Sequence, residues 1–277
     1  MQPEDKYIQV NGLNLHYLDW GNNNKNKQPM ILLHGFIAHA HSWDGFAESF
    51  HDKYHIIALD QRGHGQSEWA KDGAYDAKDF GSDIAVFIEK LKIKQPVIIG
   101  HSMGGRNAIM YCGNHPENVN KLIAIDFRLK SDPMGAAAIK IMATALLEQL
   151  KSVDEGVQAL VTFFPHIPHK LANDLVAYGV KKLPDGKLVP AFDVVIKAQA
   201  MNEQLLITDL WPYFLNITCP ILIMRGMNSP ILPLDAAREM LQAKPNSKLA
   251  EIENAGHLVP QENHIAFENA VKSFLLN

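Results

Sequence analysis

The chain has few of the features that would remove it from the class of ordinary folded proteins. Only two of its 277 residues are cysteines, Cys112 and Cys219. Two cysteines are not a disulfide framework, and they read as free buried thiols in a reducing compartment. No stretch approaches the ~18 consecutive apolar residues of a membrane span. The opening MQPEDKYIQV lacks the basic segment and apolar run of a secretory signal, so the expectation is a cytoplasmic protein. Charge of one sign is also lacking: 26 Lys and Arg stand against 30 Asp and Glu, for a net charge of −4. With no dense Lys/Arg run, a nucleic-acid partner is not expected. The 13 histidines are scattered without metal-ligand spacing, so no metal is expected. No G-x-G-x-x-G loop with a suitable downstream acid appears, and no dinucleotide cofactor is expected. What the chain does have is apolar residues, 47% of the total, with 20% charged, enough for a large core and against disorder. Low-complexity segments and repeats are missing; Asn22–Lys27 (NNNKNK) reads as a short polar loop between strands.

The pattern along the chain alternates strand and helix. Tyr7 to Val10 and Leu13 to Tyr17, joined by Asn11-Gly12, predict a hairpin. Short apolar runs at 29–35 (PMILLHG), 55–60 (HIIALD), 96–100 (PVIIG) and 121–126 (KLIAID) predict buried parallel strands. Helical spacing lies between them, at Ser42 to Phe50 with Ser42 as N-cap, at Asp79 to Leu91, and at Met103 to Tyr111. The rhythm stops after Asp126. Roughly ninety residues follow with helix-like segments, such as Gly135 to Leu150 and Asp193 to Leu206, and no clear strand. It resumes with a strand at 220–226 (PILIMRG), a helix at Leu234 to Ala243, a strand at 248–253 (KLAEIE) and a helix at His264 to Leu276. The expected architecture is α/β: a mostly parallel eight-stranded sheet with flanking helices, built from residues 1–128 and 217–277, and an inserted helical unit at 129–216.

The chemistry concentrates at PVIIGHSMGG (96–105). Gly100, Ser102 and Gly104 form G-x-S-x-G between a predicted strand and a predicted helix, the context this motif requires of a nucleophilic serine. The helix N-terminus would point free N–H groups where an oxyanion forms. His34-Gly35-Phe36 follows an earlier strand, and the N–H groups of Phe36 and Met103 are expected to make a two-donor oxyanion hole. His34 itself reads as structural. Among the histidines, His257 in ENAGHLVPQE (253–262) follows the last predicted strand, where open α/β sheets place their sites, and is the expected base. His101 should point away from the turn, and His264 falls inside the last helix.

In these motifs (HGF at 34–36, DQRGHGQS at 60–67, GHSMGG and AGH) the chain resembles the α/β-hydrolase superfamily, in the family's order and spacing. The resemblance covers the core on both sides of the insertion. It implies a Ser–acid–His triad with no cofactor, and it makes Arg62 and the glycines of 60–65 structural. The insertion resembles the family's cap domain in position and helix content only. The acid departs from the commonest pattern. Ser229, in RGMNSPILP, stands where most relatives carry Asp, and Asp235 is too far along. Some families take the acid from the end of the earlier strand, which implies Asp126, with Ser229 assisting as a hydrogen-bond donor.

The overall look is that of small bacterial carboxylesterases acting on small or medium-chain esters, as monomer or homodimer. The aromatic and proline-rich segments 161–169 (VTFFPHIPH) and 210–215 (LWPYFL) suit an apolar acyl pocket, and equally the core of a helical cap. Three other readings stay open at this point: a carbon–carbon bond hydrolase of a ring-cleavage pathway, a cofactor-independent dioxygenase of the same fold, and a non-catalytic ligand-binding protein.

Overall fold

Strands with unbroken apolar runs are stable only when both faces are covered, and the central strands of this protein carry such runs. A computed structural model describes residues 2–21, 27–145 and 148–276. The polar loop expected at Asn22–Lys27 lies, except for Lys27, outside the described residues.

The first half of the chain forms β1 (Glu4–Val10), β2 (Leu13–Asp19), β3 (Gln28–Leu33), α1 (Asp44–Phe50), β4 (Tyr54–Leu59), α2 (Ala77–Lys90), β5 (Val97–His101), α3 (Met103–Asn114) and β6 (Lys121–Ile125). A middle segment follows with α4 (Pro133–Ala145), α5 (Val153–Phe163), α6 (His169–Tyr178), β7 (Val180–Lys182), β8 (Leu188–Pro190), α7 (Val194–Met201) and α8 (Trp211–Asn216). The chain then completes the sheet with β9 (Ile221–Gly226), α9 (Leu234–Ala243), β10 (Lys248–Ile252), the short α10 (Val259–Glu262) and α11 (His264–Leu276).

The large sheet has eight strands in the order β1-β2-β4-β3-β5-β6-β9-β10. The β1–β2 and β2–β4 pairs are antiparallel and all others parallel. The period of two sorts side chains between two cores. Ile31, Leu33, Ile98, Leu122 and Ile223 join Ile84, Phe87, Ile109, Phe214 and Met240 on one face. Met30, Leu32, Ile99, Ile123 and Leu222 join Phe46, Phe50, Phe267, Val271 and Phe274 on the other. Each such side chain contributes about 1.5–3 kcal/mol by leaving water. From β3 the chain goes to β4 on one side and then to β5 on the other. This reversal leaves a crevice at the carboxyl ends of β3 and β5, where open α/β sheets bind ligands.

Local structure departs from the sequence reading at several points. Ser42 is not an N-cap: it lies in a 3-10 turn, Ala40–Trp43, and its hydroxyl donates to His39 O. A reciprocal capping box is found instead at α2, formed by Asp76 and Asp79. The middle segment is not free of strands, because β7 and β8 pair antiparallel across a turn containing Gly186 at φ +86°. Leu150, expected to end a helix, instead pairs with Leu188 at the edge of that hairpin. The helix expected from Asp193 to Leu206 stops at Met201, before Glu203 at φ +63° and a 3-10 turn.

The middle segment is tied to the core by polar contacts. Asp193 caps α7 and accepts a hydrogen bond from Tyr75 Oη at 2.6 Å. Its N–H donates to Gly63 O at 2.8 Å. His39 Nε2 donates to Leu175 O at 2.9 Å.

Candidate active site

The crevice is centred on Ser102, the one residue between β5 and α3. It has φ 53° and ψ −117°, a conformation that costs a non-glycine residue about 1–3 kcal/mol and persists only when its surroundings enforce it. Its N–H donates to Ile125 O at 2.8 Å and its carbonyl accepts from Arg106 N at 3.1 Å. Gly104 permits the turn: a Cβ there would lie 2.3 Å from Leu33 O and 2.5 Å from His34 O. Gly35 lets the loop after β3 come close, since its Cβ would meet Ser102 Cβ at 3.3 Å. That loop is braced from below. Gln61 N donates to His34 Nε2 and Gln61 Nε2 to His34 O, while Asn107 Nδ2 donates to Gln61 Oε1.

Asp126 and His257 arrive from the neighbouring strand ends. Asp126 directly follows β6, has φ +51°, and is fully buried. His257 lies in the loop between β10 and α10. Ser102 Oγ donates to His257 Nε2 at 2.9 Å, and His257 Nδ1 donates to Asp126 Oδ2 at 2.7 Å. The carboxylate is fully partnered. Ser229 Oγ donates to Asp126 Oδ2 at 2.5 Å, and Gly226 N donates to Oδ1 at 3.2 Å. Ser229 Oγ in turn accepts from Ile231 N at 3.1 Å. Four residues singled out from the sequence thus form one connected chain. Phe36 and Met103 flank Ser102 in the wall of the adjoining cavity. Asp235 lies in the first turn of α9, its Oδ1 accepting from Ala236 N.

The surrounding histidines are structural and neutral. Burial pushes His34 down to about 3, as it does His101, where the neighbouring His257 adds to the effect. His34 Nδ1 donates to Gly35 O. His101 packs beside the imidazole of His257, with ring centroids 4.9 Å apart. It contributes further, because its Nε2 donates to the backbone oxygen of His257 at 2.8 Å and so fixes the loop that carries the imidazole. That role had no sequence signal. Arg62 makes a bidentate pair with Asp83 at 2.6 and 2.7 Å, away from the triad. Arg106, one helical turn after Ser102, was also not singled out. It is buried, donates to Arg128 O and Thr208 O, and is pushed down to about 10 by burial. Its i+4 spacing from Ser102 was the available signal.

The site opens on a cavity of about 190 Å³ lined by the 34–39 loop, Ser102, His257 and Leu258. Leu160 and Phe164 of the α5 region, Val176 of α6 and Phe192 close it from the other side. Chemically, an imidazole held by a carboxylate in the Nδ1–H tautomer presents its Nε2 lone pair to a serine hydroxyl, and can take that proton as the oxygen attacks. Among the described residues, no group of three or more His, Cys, Asp or Glu side chains could hold a metal ion, and no helix is long and apolar enough to cross a membrane.

Comparison with known proteins agrees with this fold. A 2-(acetamidomethylene)succinate hydrolase of Mesorhizobium japonicum is 28% identical over 249 residues, 89% of this chain and 87% of that protein. The crystal structure of E-2-(acetamidomethylene)succinate hydrolase superposes with a TM-score of 0.90 at 24% identity, covering 99% of this chain and all of the other. The esterase Rv0045c of Mycobacterium tuberculosis superposes with a TM-score of 0.76 at 21% identity, covering 100% and 92%. At these identities the superpositions speak for the fold. The model of the alpha/beta hydrolase fold family matches residues 28–263. That match spans most of the sheet and the whole middle segment, and the chain therefore belongs to the α/β-hydrolase fold family.

Proposed function

We propose that this protein is a serine hydrolase that cleaves small or medium-chain carboxylic esters through an acyl-enzyme. The observation that carries the reading is the unbroken path from Ser102 Oγ through His257 to the buried Asp126, opening on a largely apolar cavity. Ser102 is the nucleophile. His257 takes its proton and passes it to the leaving oxygen, and then activates water against the acyl-enzyme. Asp126 holds the tautomer and offsets the charge of the imidazolium. Ser229 assists by hydrogen bonding to that carboxylate. The N–H groups of Phe36 and Met103 receive the oxyanion. No cofactor has a part in these steps.

Residues 129–216 act as a cap over the site in this reading, which is supported by the α5 and α6 side chains lining the cavity opposite Ser102. The relative from Mesorhizobium is named for a succinate, a dicarboxylate. That substrate is not carried over: among the described residues the large cavity is lined by no Lys or Arg, and the two arginines of the adjoining one, Arg106 and Arg128, donate to backbone oxygens and to Asp132.

The test is active-site labelling. A fluorophosphonate probe should modify one serine, Ser102, and abolish turnover of p-nitrophenyl acetate. Ser102→Ala should lose label and roughly 10⁴-fold or more of turnover while remaining folded. Turnover retained by that variant, free of contaminating esterase, would sink the proposal.

A further inference from the structure

Two cavities meet at Ser102. The larger, of about 190 Å³, is the one described above. The smaller, of about 60 Å³, is lined by Met103, Phe127, Ile139 and Ile231 among others. Phe36, Ser102 and Met142 belong to both. Phe36 and the α4 residue Met142 therefore stand in the walls of both, and Ser102 lies where the two lobes meet.

The lobes differ in their relation to the base. His257, Leu258 and Gln261 line the larger lobe and not the smaller, whereas Met103 lines only the smaller. In ester cleavage the Ser102 Oγ–carbon bond forms and the carbon–oxygen bond to the alcohol breaks. The departing oxygen takes its proton from His257 Nε2 and must lie within hydrogen-bond reach of it. Water then adds to the acyl carbon, and the acid leaves as Ser102 Oγ regains its proton. The alcohol portion thus departs along the lobe that His257 lines, and the acyl group is left to the lobe with roughly a third of the volume. The two guanidinium groups in the wall of the small lobe are already engaged. Arg106 donates to Arg128 O and Thr208 O, and Arg128 to Ile231 O and Asp132. What remains of the wall is mainly carbon.

We infer, on the serine-hydrolase reading above, that the site takes esters with a short acyl group and a larger apolar alcohol portion, with Met142 setting the limit on acyl length. Two substrate series measure this on the intact protein. The first holds the alcohol constant, as p-nitrophenyl acetate, propionate, hexanoate and octanoate. The second holds the acyl group constant, as methyl, butyl, hexyl and octyl acetate followed by acid release. We expect kcat/KM to fall at least about tenfold from propionate to hexanoate, the scale on which a pocket discriminates misfit methylenes, and to rise along the acetate series. The opposite ranking, with long acyl chains preferred, overturns the inference while leaving the hydrolase reading intact. If neither series turns over faster than with Ser102→Ala, both fall together. Met142→Ala should raise the hexanoate-to-acetate ratio about tenfold, and Ile139→Phe should lower the propionate-to-acetate ratio. Unchanged ratios in both variants would remove the small lobe from acyl recognition.

Discussion

Asp126 holds two hydroxyl- and imidazole-bearing side chains on a single oxygen, and this makes its charge and its shape separable by mutation. Asp126→Asn keeps the shape, removes the charge that offsets the imidazolium, and offers an amide N–H where only an acceptor fits. On the proposed mechanism we expect a loss on the order of 10²- to 10⁴-fold in kcat, measured with p-nitrophenyl acetate. Ser229→Ala removes a hydrogen bond to the carboxylate and leaves Ile231 N–H without its acceptor. A loss of about 10-fold is expected, the scale of ~1.4 kcal/mol. The double variant should lose less than the product, because both act on one imidazole. Nearly silent Asp126→Asn beside a crippled Ser229→Ala would refute the assignment. At this scale the sequence was informative wherever a residue's position follows from a strand end. Ser102, Asp126 and His257 are each placed that way. His101 and Arg106 were not legible, because their partners, His257 O and Arg128 O, lie 156 and 22 residues away and only tertiary structure brings them together.

Among the elements, the β5–α3 junction is tightly constrained, because its neighbours are backbone atoms that have no rotamer to yield. Gly104→Ala would force a methyl against Leu33 O and His34 O. We expect a loss of about 1–3 kcal/mol in stability, with a lower thermal midpoint, and activity per folded molecule reduced as well, since the same loop carries Phe36. A variant as stable and active as the parent would show that the junction relaxes freely. The cap reading is tested on α5 and α6: Leu160→Ala or Val176→Ala should alter alcohol-length preference more than the rate at which a small fluorophosphonate labels Ser102. The core elements were readable because buried parallel strands are short apolar runs flanked by breakers. The β7–β8 hairpin was not. Its strands have three residues each, too few for an alternation to register, although Pro184-Asp185-Gly186 between them is a turn signal. The Leu150 ending of α4 failed for a similar reason, since its cross-strand partner Leu188 is invisible to helical periodicity.

The whole molecule buries several histidines in neutral form, and its stability should follow their titration. Burial holds His34 and His101 at about 3 and His64 at about 4, against an ordinary 6.5. A folded value below the unfolded one means the unfolded chain binds the extra protons. The stabilisation is therefore complete above pH 6.5 and is lost as pH falls toward 4. Each such group removes up to about 1.4 kcal/mol per pH unit across that window. His16 acts in the opposite direction: although burial lowers it, its bonds to Asp60 and Asp5 raise it on balance, so it favours the folded state below pH 6.5. Burial lowers His39 as well, so four groups against one give the direction. The urea midpoint should drop clearly between pH 7 and pH 4.5, before the carboxylates titrate. A flat midpoint across that range would mean that these imidazoles are solvated in the folded state.

The 2.5 Å contact between Ser229 Oγ and Asp126 Oδ2 joins positions 103 residues apart. In evolutionary terms, and on the proposed mechanism, the two loops offer two addresses for one negative charge beside the imidazole. A lineage could move its acid between them by point substitution, with the sheet and the histidine left in place. The order of the steps decides which route survives selection. Losing Asp126 first passes through an uncharged and slow enzyme. Gaining a carboxylate at 229 first passes through a crowded pair, in which one carboxyl is driven to keep its proton and the other still serves the imidazole. The second route never lacks a base partner. The serine at 229 is then one substitution from either history, a vacated post or one never yet filled.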